Sequence, residues 1–253
     1  MGLAPDDWKQ ILIWSNALIG EIEECDRLPG ESRGAAGYRN MYELRSYLEG
    51  LIHESRARGA QRGGFIDHMV HHKVQGQVLT DQQLIGYLFL LIAAGNDTTR
   101  NALTGGVAAL IEHPEECARL RRNPDLLPGA IEEILRWTSP VVNFLRTATE
   151  DFELAGTGIA AGDTVGLFYP SANRDRRVFA DPYRFDITRA PNPHLTFGFG
   201  AHFCLGTNLA RAELKASLRA LLPYLDRLEI HGEPSRIAQT HVTGFSTLPL
   251  RLR

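Results

Sequence analysis

Cysteine is scarce in this chain of 253 residues: Cys25, Cys117 and Cys204 lie far apart with no CxxC pair. That excludes a disulfide framework and gives no structural zinc site. An excess of charge of one sign is also missing, since 27 Lys and Arg face 30 Asp and Glu for a net charge of -3. Without a basic surplus, nucleic acid is not an expected partner. The most apolar stretch, Leu84 to Gly95, is too short to span a bilayer. The N-terminus, Met1-Gly-Leu-Ala-Pro-Asp-Asp7, is acidic where a secretory signal is basic, and no apolar segment follows it. Internal repeats and low-complexity segments are absent as well. What remains is ordinary globular composition, 43% hydrophobic and 23% charged, which is enough for a sizeable core. A cytoplasmic protein is expected.

The first two thirds of the chain read as helices. Apolar spacing predicts one over Trp8 to Ile22, closed by Leu28-Pro-Gly-Glu-Ser32, and a second over Met41 to Arg58. A flexible stretch from Gly59 to Gly64 separates the second from a short helix at Phe65 to Lys73. Thr80-Asp-Gln-Gln83 is a capping box, and a helical pattern runs from it to His113, where Pro114 stops it. At 1.5 Å per residue that helix is roughly 48 Å long, and its apolar first half requires burial. Glu115 to Arg122 and Leu127 to Trp137 are further helices. From Val141 to Tyr169 the composition turns to Thr, Val, Phe and Gly, which predicts short strands and hairpins. Asp175 to Pro193 reads as irregular, Leu205 to Leu222 as a last helix, and the end as a strand pair. The expected class is mainly α with small β-sheets.

Chemistry concentrates in Phe197-Gly-Phe-Gly-Ala-His-Phe-Cys204-Leu-Gly206. An arbitrary cysteine is a small buried hydrophobe. Here Gly198, Gly200 and Gly206 remove side chains around the sulfur and let backbone amides approach it. Cys204 also stands at a helix start, whose partial positive charge suits an anionic sulfur ligand. A soft thiolate with one open face suits iron in a porphyrin. A dinucleotide loop does not fit, because Phe203 stands where that fingerprint needs glycine.

A second polar cluster interrupts the long helix. Ala94-Gly-Asn-Asp-Thr-Thr99 places poor helix formers and an acid at its middle, at a cost of about 2–3 kcal/mol relative to alanine. Either a functional site or a polar kink accounts for it. Glu133 and Arg136 share a helix face, which alone reads as a surface ion pair of little worth. His68, His71 and His72 have helical spacing but no matching carboxylate or cysteine, so a solvated helix face is expected.

The pattern Phe-x-x-Gly-x-His-x-Cys-x-Gly, from Phe197 to Gly206, resembles the heme-binding signature of cytochromes P450. The resemblance runs along the whole chain, Met1 to Arg253, as one heme domain. It covers only the C-terminal part of that fold. The first β-sheet, the loop that closes over the substrate and a helix with further propionate contacts have no counterpart here.

The resemblance implies heme b (iron protoporphyrin IX) with Cys204 as iron ligand, Phe197 and Gly198 around the sulfur, and His202 and Arg146 on the propionates. Ala94 and Gly95 would open a groove for dioxygen in the distal helix. Asp97 and Thr98 would be the acid–alcohol pair: reduction of O2 consumes protons, which a hydroxyl can position and a carboxylate can relay. Glu133, Arg136 and Arg184 would form a buried trio that holds the cysteine loop, with Arg184 supplied by Phe179-Ala-Asp-Pro-Tyr-Arg-Phe185. Val142, Asn143 and Phe144, with Thr243, Gly244 and Phe245, would face the substrate.

The function implied is a monooxygenase acting on a hydrophobic small molecule with O2 and electrons from a ferredoxin-type donor. The segments Gly95 to Leu103 and Tyr169 to Asp175 are similar to members acting on sterols, fatty acids or alkanes. Arg121, Arg122, Arg211 and Lys215 are either a basic patch for an acidic electron donor or scattered surface charges. The alternative function is a heme-binding or non-catalytic relic without turnover.

Overall fold

In a computed structural model, residues 1–20, 22, 24–59 and 64–253 are described. They form two compact units, Met1–Asp97 and Thr98–Arg253. The expected flexible stretch at 60–63 lies outside the described residues.

The first unit contains α1 (Trp8–Leu18), α2 (Arg33–Arg58), α3 (Phe65–His71), a small hairpin of β1 (Lys73–Val74) and β2 (Gln77–Val78), and the start of α4 (Asp81–Glu112). Helix α1 ends earlier than its apolar pattern suggests, because Gly20 turns to a φ of 79° and its N–H closes onto the Ala17 carbonyl. Conversely, α2 starts eight residues before the expected Met41. Ser32 caps it by accepting the Ala35 N–H at 3.2 Å, and Ala36 and Asn40 extend the buried stripe of Leu44, Leu48 and Ile52. Gly34 and Gly37 obscure that stripe in the sequence. Leu44, Leu48 and Ile52 pack with Trp14, Ile66, Val70, Leu84, Leu88 and Ile92 as the core of this unit, each fully buried Leu or Ile contributing about 1.5–3 kcal/mol.

The capping box that starts α4 is present. The Thr80 N–H donates to Gln83 Oε1 at 3.0 Å, and the Gln83 N–H to Thr80 Oγ1 at 3.3 Å. The helix runs 32 residues to Glu112 and ends just before Pro114.

The second unit holds the rest of α4, then α5 (Pro114–Arg122) and α6 (Leu127–Thr138). Four strands follow: β3 (Asn143–Thr147), β4 (Phe152–Leu154), β5 (Thr157–Ile159) and β6 (Thr164–Phe168). After the short α7 (Tyr169–Ala172), the chain from 175 to 193 has neither helix nor strand, as expected. Helix α8 (Thr207–Leu221) and strands β7 (Leu228–Ile230), β8 (Ser235–Arg236), β9 (Phe245–Thr247) and β10 (Leu250–Leu252) complete it. Sheets are two-stranded and antiparallel, pairing β3 with β6, β4 with β5, β7 with β10 and β8 with β9. The class is mainly α with small sheets.

Its core joins Leu110 and Ala109 of α4, Leu120 of α5, Ile131 and Ile134 of α6, and Leu214 and Leu218 of α8 to Phe185 and Ile187. Gly105 and Gly106 let α4 approach α6 closely. A Cβ on Gly105 would stand 2.7 Å from Thr138 Cγ2, and one on Gly106 2.6 Å from Ile134 Cγ2. Among the described residues, no helix is long and apolar enough to cross a membrane.

Candidate active site

The cysteine loop is a tight backbone structure. Gly198 and Gly200 adopt φ values of 73° and 72°, where a side chain would be strained. The Gly198 N–H donates to the Leu195 carbonyl at 2.8 Å, and the Cys204 N–H to the Phe197 carbonyl at 2.9 Å. These bonds fold the loop back and leave the Cys204 side chain exposed, two residues before the Gly206 cap of α8. Phe199 (85% exposed) and Leu205 (87%) flank it, so the sulfur sits in an exposed apolar surface. Among three cysteines only Cys117 is buried, and there burial pushes the thiol up, against the opposing pull of Arg121. His202 lies exposed on the turn Gly200–His202.

Behind the loop, Glu133 and Arg136 are fully buried and bidentate, at 2.8 Å for both Nε and Nη2. Arg136 also donates from Nη1 to the carbonyls of Asn173 (2.9 Å) and Pro182 (2.8 Å). The surface-pair interpretation therefore fails. The third charge differs from expectation. Arg184 is exposed and offers its backbone carbonyl to Arg136 at 3.2 Å, while Arg189 places its Nε 3.2 Å from Glu133 Oε2. Arg189 further donates to the carbonyls of Ala180, Asp181 and Arg184. It takes the place because the irregular segment loops around its guanidinium, a path that motif spacing does not reveal.

Asn173 is a second residue that sequence reasoning missed as a structural centre. Fully buried, it donates to Ser139 Oγ (2.8 Å) and Thr196 Oγ1 (3.0 Å) and accepts the Leu195 N–H (2.7 Å). It thereby ties α6 to the residues entering the cysteine loop. Its only sequence signal is the Tyr169 to Asp175 segment, there connected with substrate class.

On α4, Asp97 is fully buried and Thr98 half-buried, while Ala94 and Gly95 are exposed at mid-helix. A Cβ on Gly95 would meet nothing within 4 Å, so the helix surface is open there. Asn96 donates to the buried Ser15 Oγ at 3.1 Å.

Arg146 sits half-buried on β3, opposite Val165 of β6. Its guanidinium donates to the Leu145 carbonyl at 2.9 Å and has no carboxylate partner among the described residues. Val142, Gly244 and Phe245 come together with Thr243 and line a cavity of about 1310 Å³. The Val142 N–H donates to the His241 carbonyl, and the Thr243 N–H to the Pro140 carbonyl, both at 2.8 Å. Asn143 and Phe144 are outside that lining. The Asn143 amide is spent on the Thr240 carbonyl at 2.8 Å, and the Phe144 ring meets His241 at 5.0 Å. Asn101 of α4 lines the cavity unforeseen, 1% exposed, with neither amide atom hydrogen-bonded among the described residues.

Two of the four cations considered for donor docking are neutralised. Arg121 pairs with Asp226 at 2.6 Å, and Arg211 holds Glu132 with two bonds of 2.7 Å. Of the histidines, His68 and His72 are exposed and stacked at 4.9 Å, and His71 reaches the Ser55 carbonyl at 3.2 Å.

Burial opposes ionisation of Glu132, yet hydrogen bonds from Arg211 and His194 outweigh it and hold the carboxyl at about 2, against an ordinary 4.5. A carboxyl lowered by folding adds stability that is complete above its unfolded value and is lost as pH falls through the folded one. Discounted for partial exposure, that is on the order of 2 kcal/mol. Acid unfolding followed by circular dichroism from pH 5 to 2 is expected to be less pH-dependent in Glu132→Gln. Equal slopes in the two proteins would remove Glu132 from this role.

The donor set fits heme. An exposed soft sulfur in an apolar surface suits a flat apolar ring carrying iron, and Arg146 is a cation without its own carboxylate, suited to a propionate.

The cytochrome P450 family model matches residues 36–252. The methyl-branched lipid omega-hydroxylase of Mycobacterium tuberculosis is 40% identical over 256 residues, covering 99% of this chain and 58% of that protein. The steroid C26-monooxygenase of Mycolicibacterium smegmatis is 37% identical over 257 residues, covering 99% and 62%. The solved structure of CYP109E1 from Bacillus megaterium in complex with testosterone superposes with a TM-score of 0.87 at 35% identity, covering 99% of this chain and 67% of that one. The chain spans about three fifths of the length of these curated relatives. With that match over most of its length and the exposed cysteine in its signature loop, the chain belongs to the cytochrome P450 family.

Proposed function

We propose that this chain carries the heme-thiolate centre of a monooxygenase, residues 1–253 acting as one heme domain, that inserts one oxygen atom from O2 into a hydrophobic small molecule. The observation that carries the proposal is the Cys204 side chain, exposed on a loop held by its own backbone bonds. Bound heme b would supply the redox centre where O2 is reduced and one of its atoms is transferred. Cys204 ligates the iron, and Phe197 and Gly198 shape the loop around the sulfur. Arg146 and His202 hold the propionates.

Proton delivery belongs to α4. The Thr98 hydroxyl holds a proton-donating water, and the buried Asp97 carboxyl passes protons on. Val142, Phe245 and the cavity they line receive the substrate. The lipid hydroxylase and steroid monooxygenase among the relatives support a sterol-like or fatty-acid-like substrate. Electrons come from a ferredoxin-type donor, although the ion pairs of Arg121 and Arg211 give no support to a docking patch there.

The reduced, CO-bound difference spectrum of the heme-loaded protein tests the ligand assignment, with a strongly red-shifted Soret band expected. Absence of that band, or the band of a histidine or thiol ligand, would overturn it. Proton delivery is tested by Thr98→Ala. Coupling of NADH or NADPH consumption to product is expected to fall on the order of tenfold or more, with hydrogen peroxide in its place. A thiolate band without any turnover in the unaltered protein would favour the relic instead.

A further inference from the structure

Phe197 is held from behind by groups that the proposed chemistry leaves unused. The Arg211 guanidinium carbon stands 4.7 Å from the Phe197 ring centre, and the His194 ring lies 6.1 Å away, tilted by 49°. Both side chains converge on Glu132. Arg211 grips its two oxygens at 2.7 Å each, and His194 Nε2 approaches Oε2 at 3.1 Å. The remaining bonds fix the geometry. Arg211 Nη1 donates to Thr207 Oγ1 at 2.9 Å, and the Thr196 N–H points to His194 Nδ1 at 3.4 Å. With Nδ1 accepting, Nε2 carries the hydrogen that Glu132 accepts. Phe197 in turn accepts the Cys204 N–H through its carbonyl.

This arrangement places a cation and an anion at fixed positions beside the cysteine loop, the cation over the Phe197 ring. The Arg211 guanidinium lies over the Phe197 ring, and the Phe197 carbonyl holds the Cys204 N–H at 2.9 Å, so a single residue links the cation to the cysteine. A positive charge there withdraws electron density from a thiolate and favours the reduced iron. The Glu132 carboxylate largely cancels it.

Resting on the heme-thiolate assignment above, we propose that the Glu132–Arg211 pair is a charge couple that sets electron donation by Cys204 and hence the reduction potential of the bound heme. Neither residue touches the iron. They are positioning residues, with His194 and Phe197 as supports, and this use differs from a docking patch for an electron donor.

The two halves of the couple pull in opposite directions, which gives the test. Glu132→Gln leaves an uncompensated cation and is expected to raise the heme potential. Arg211→Gln leaves an uncompensated carboxylate and is expected to lower it. At a fixed applied potential, the ferric-to-ferrous ratio should move several-fold in opposite senses in the two heme-loaded variants. Arg211→Lys keeps the charge and should stay near the unaltered protein. A purely structural role would shift both glutamine variants in the same sense, or broaden the CO-bound band in both. Shifts of one sign, no shift, or an Arg211→Lys variant that behaves like Arg211→Gln would overturn the couple, leaving ligation by Cys204 intact. Absence of a thiolate band in the unaltered protein would overturn the ligand assignment itself and this inference with it.

Discussion

Cys204→Ser is expected to abolish the red-shifted CO-bound band completely while leaving the fold intact. Serine matches the thiol in shape, but its hydroxyl is a hard donor that stays protonated at neutral pH and cannot supply thiolate density to iron. The folding cost is small because the Cys204 side chain is exposed and the loop is held through backbone bonds from Gly198 and Cys204. Stability should remain within about 0.5 kcal/mol, as for surface substitutions elsewhere. The same change at Cys117 provides the control. That thiol is 5% exposed in the core of the second unit, among residues such as Leu120 and Leu214. Placing a hydroxyl there should cost about 1–3 kcal/mol and leave the spectrum unchanged. Urea unfolding and the difference spectrum, measured on both variants, separate ligation from packing. If Cys204→Ser keeps the red-shifted band, the ligand is another residue.

Arg136→Leu is expected to cost about 3–5 kcal/mol, comparable with the whole stability of a small domain. The buried guanidinium answers the Glu133 carboxylate and the carbonyls of Asn173, Pro182 and Arg184 at once. Leucine fills much of the volume but leaves those acceptors without their donor in a place that water does not reach. Arg189 still faces Glu133 and still donates to the Arg184 carbonyl, so these two are not wholly abandoned, but the carbonyls of Asn173 and Pro182 are. Poor soluble yield or a thermal midpoint lowered by many degrees would be the readout. Arg184→Ala tests the corrected assignment. Its carbonyl survives the substitution and its side chain is exposed, so an effect within about 0.5 kcal/mol is expected. A large loss from Arg184→Ala with little from Arg189→Ala would restore the original trio.

Local chemistry made part of this protein legible. The capping box at Thr80 and Gln83, the stop at Pro114 and the strand-rich stretch after Val141 depend on neighbours a few residues away. Even there, glycines concealed the first two turns of α2, since a stripe needs its apolar positions filled to be seen, and Ser32 alone marked the start. The cysteine loop was equally readable, because glycines at special backbone angles and a single sulfur must be close in sequence to act together.

The remainder depended on distant partners. Sequence spacing could not choose between Arg184 and Arg189 for Glu133, because the path of the irregular segment decides which guanidinium reaches a carboxylate more than 50 residues earlier. The Asn143 amide was expected to face substrate and instead holds a carbonyl 97 residues away. Arg211 looked like one surface charge among several until folding placed Glu132, 79 residues before it, within 2.7 Å. By itself the sequence determined the cysteine loop, the helical class and the polar break in α4, all set by short-range geometry. Only the tertiary structure decided which charges neutralise one another around that loop, since buried ions are partnered by proximity in space rather than along the chain.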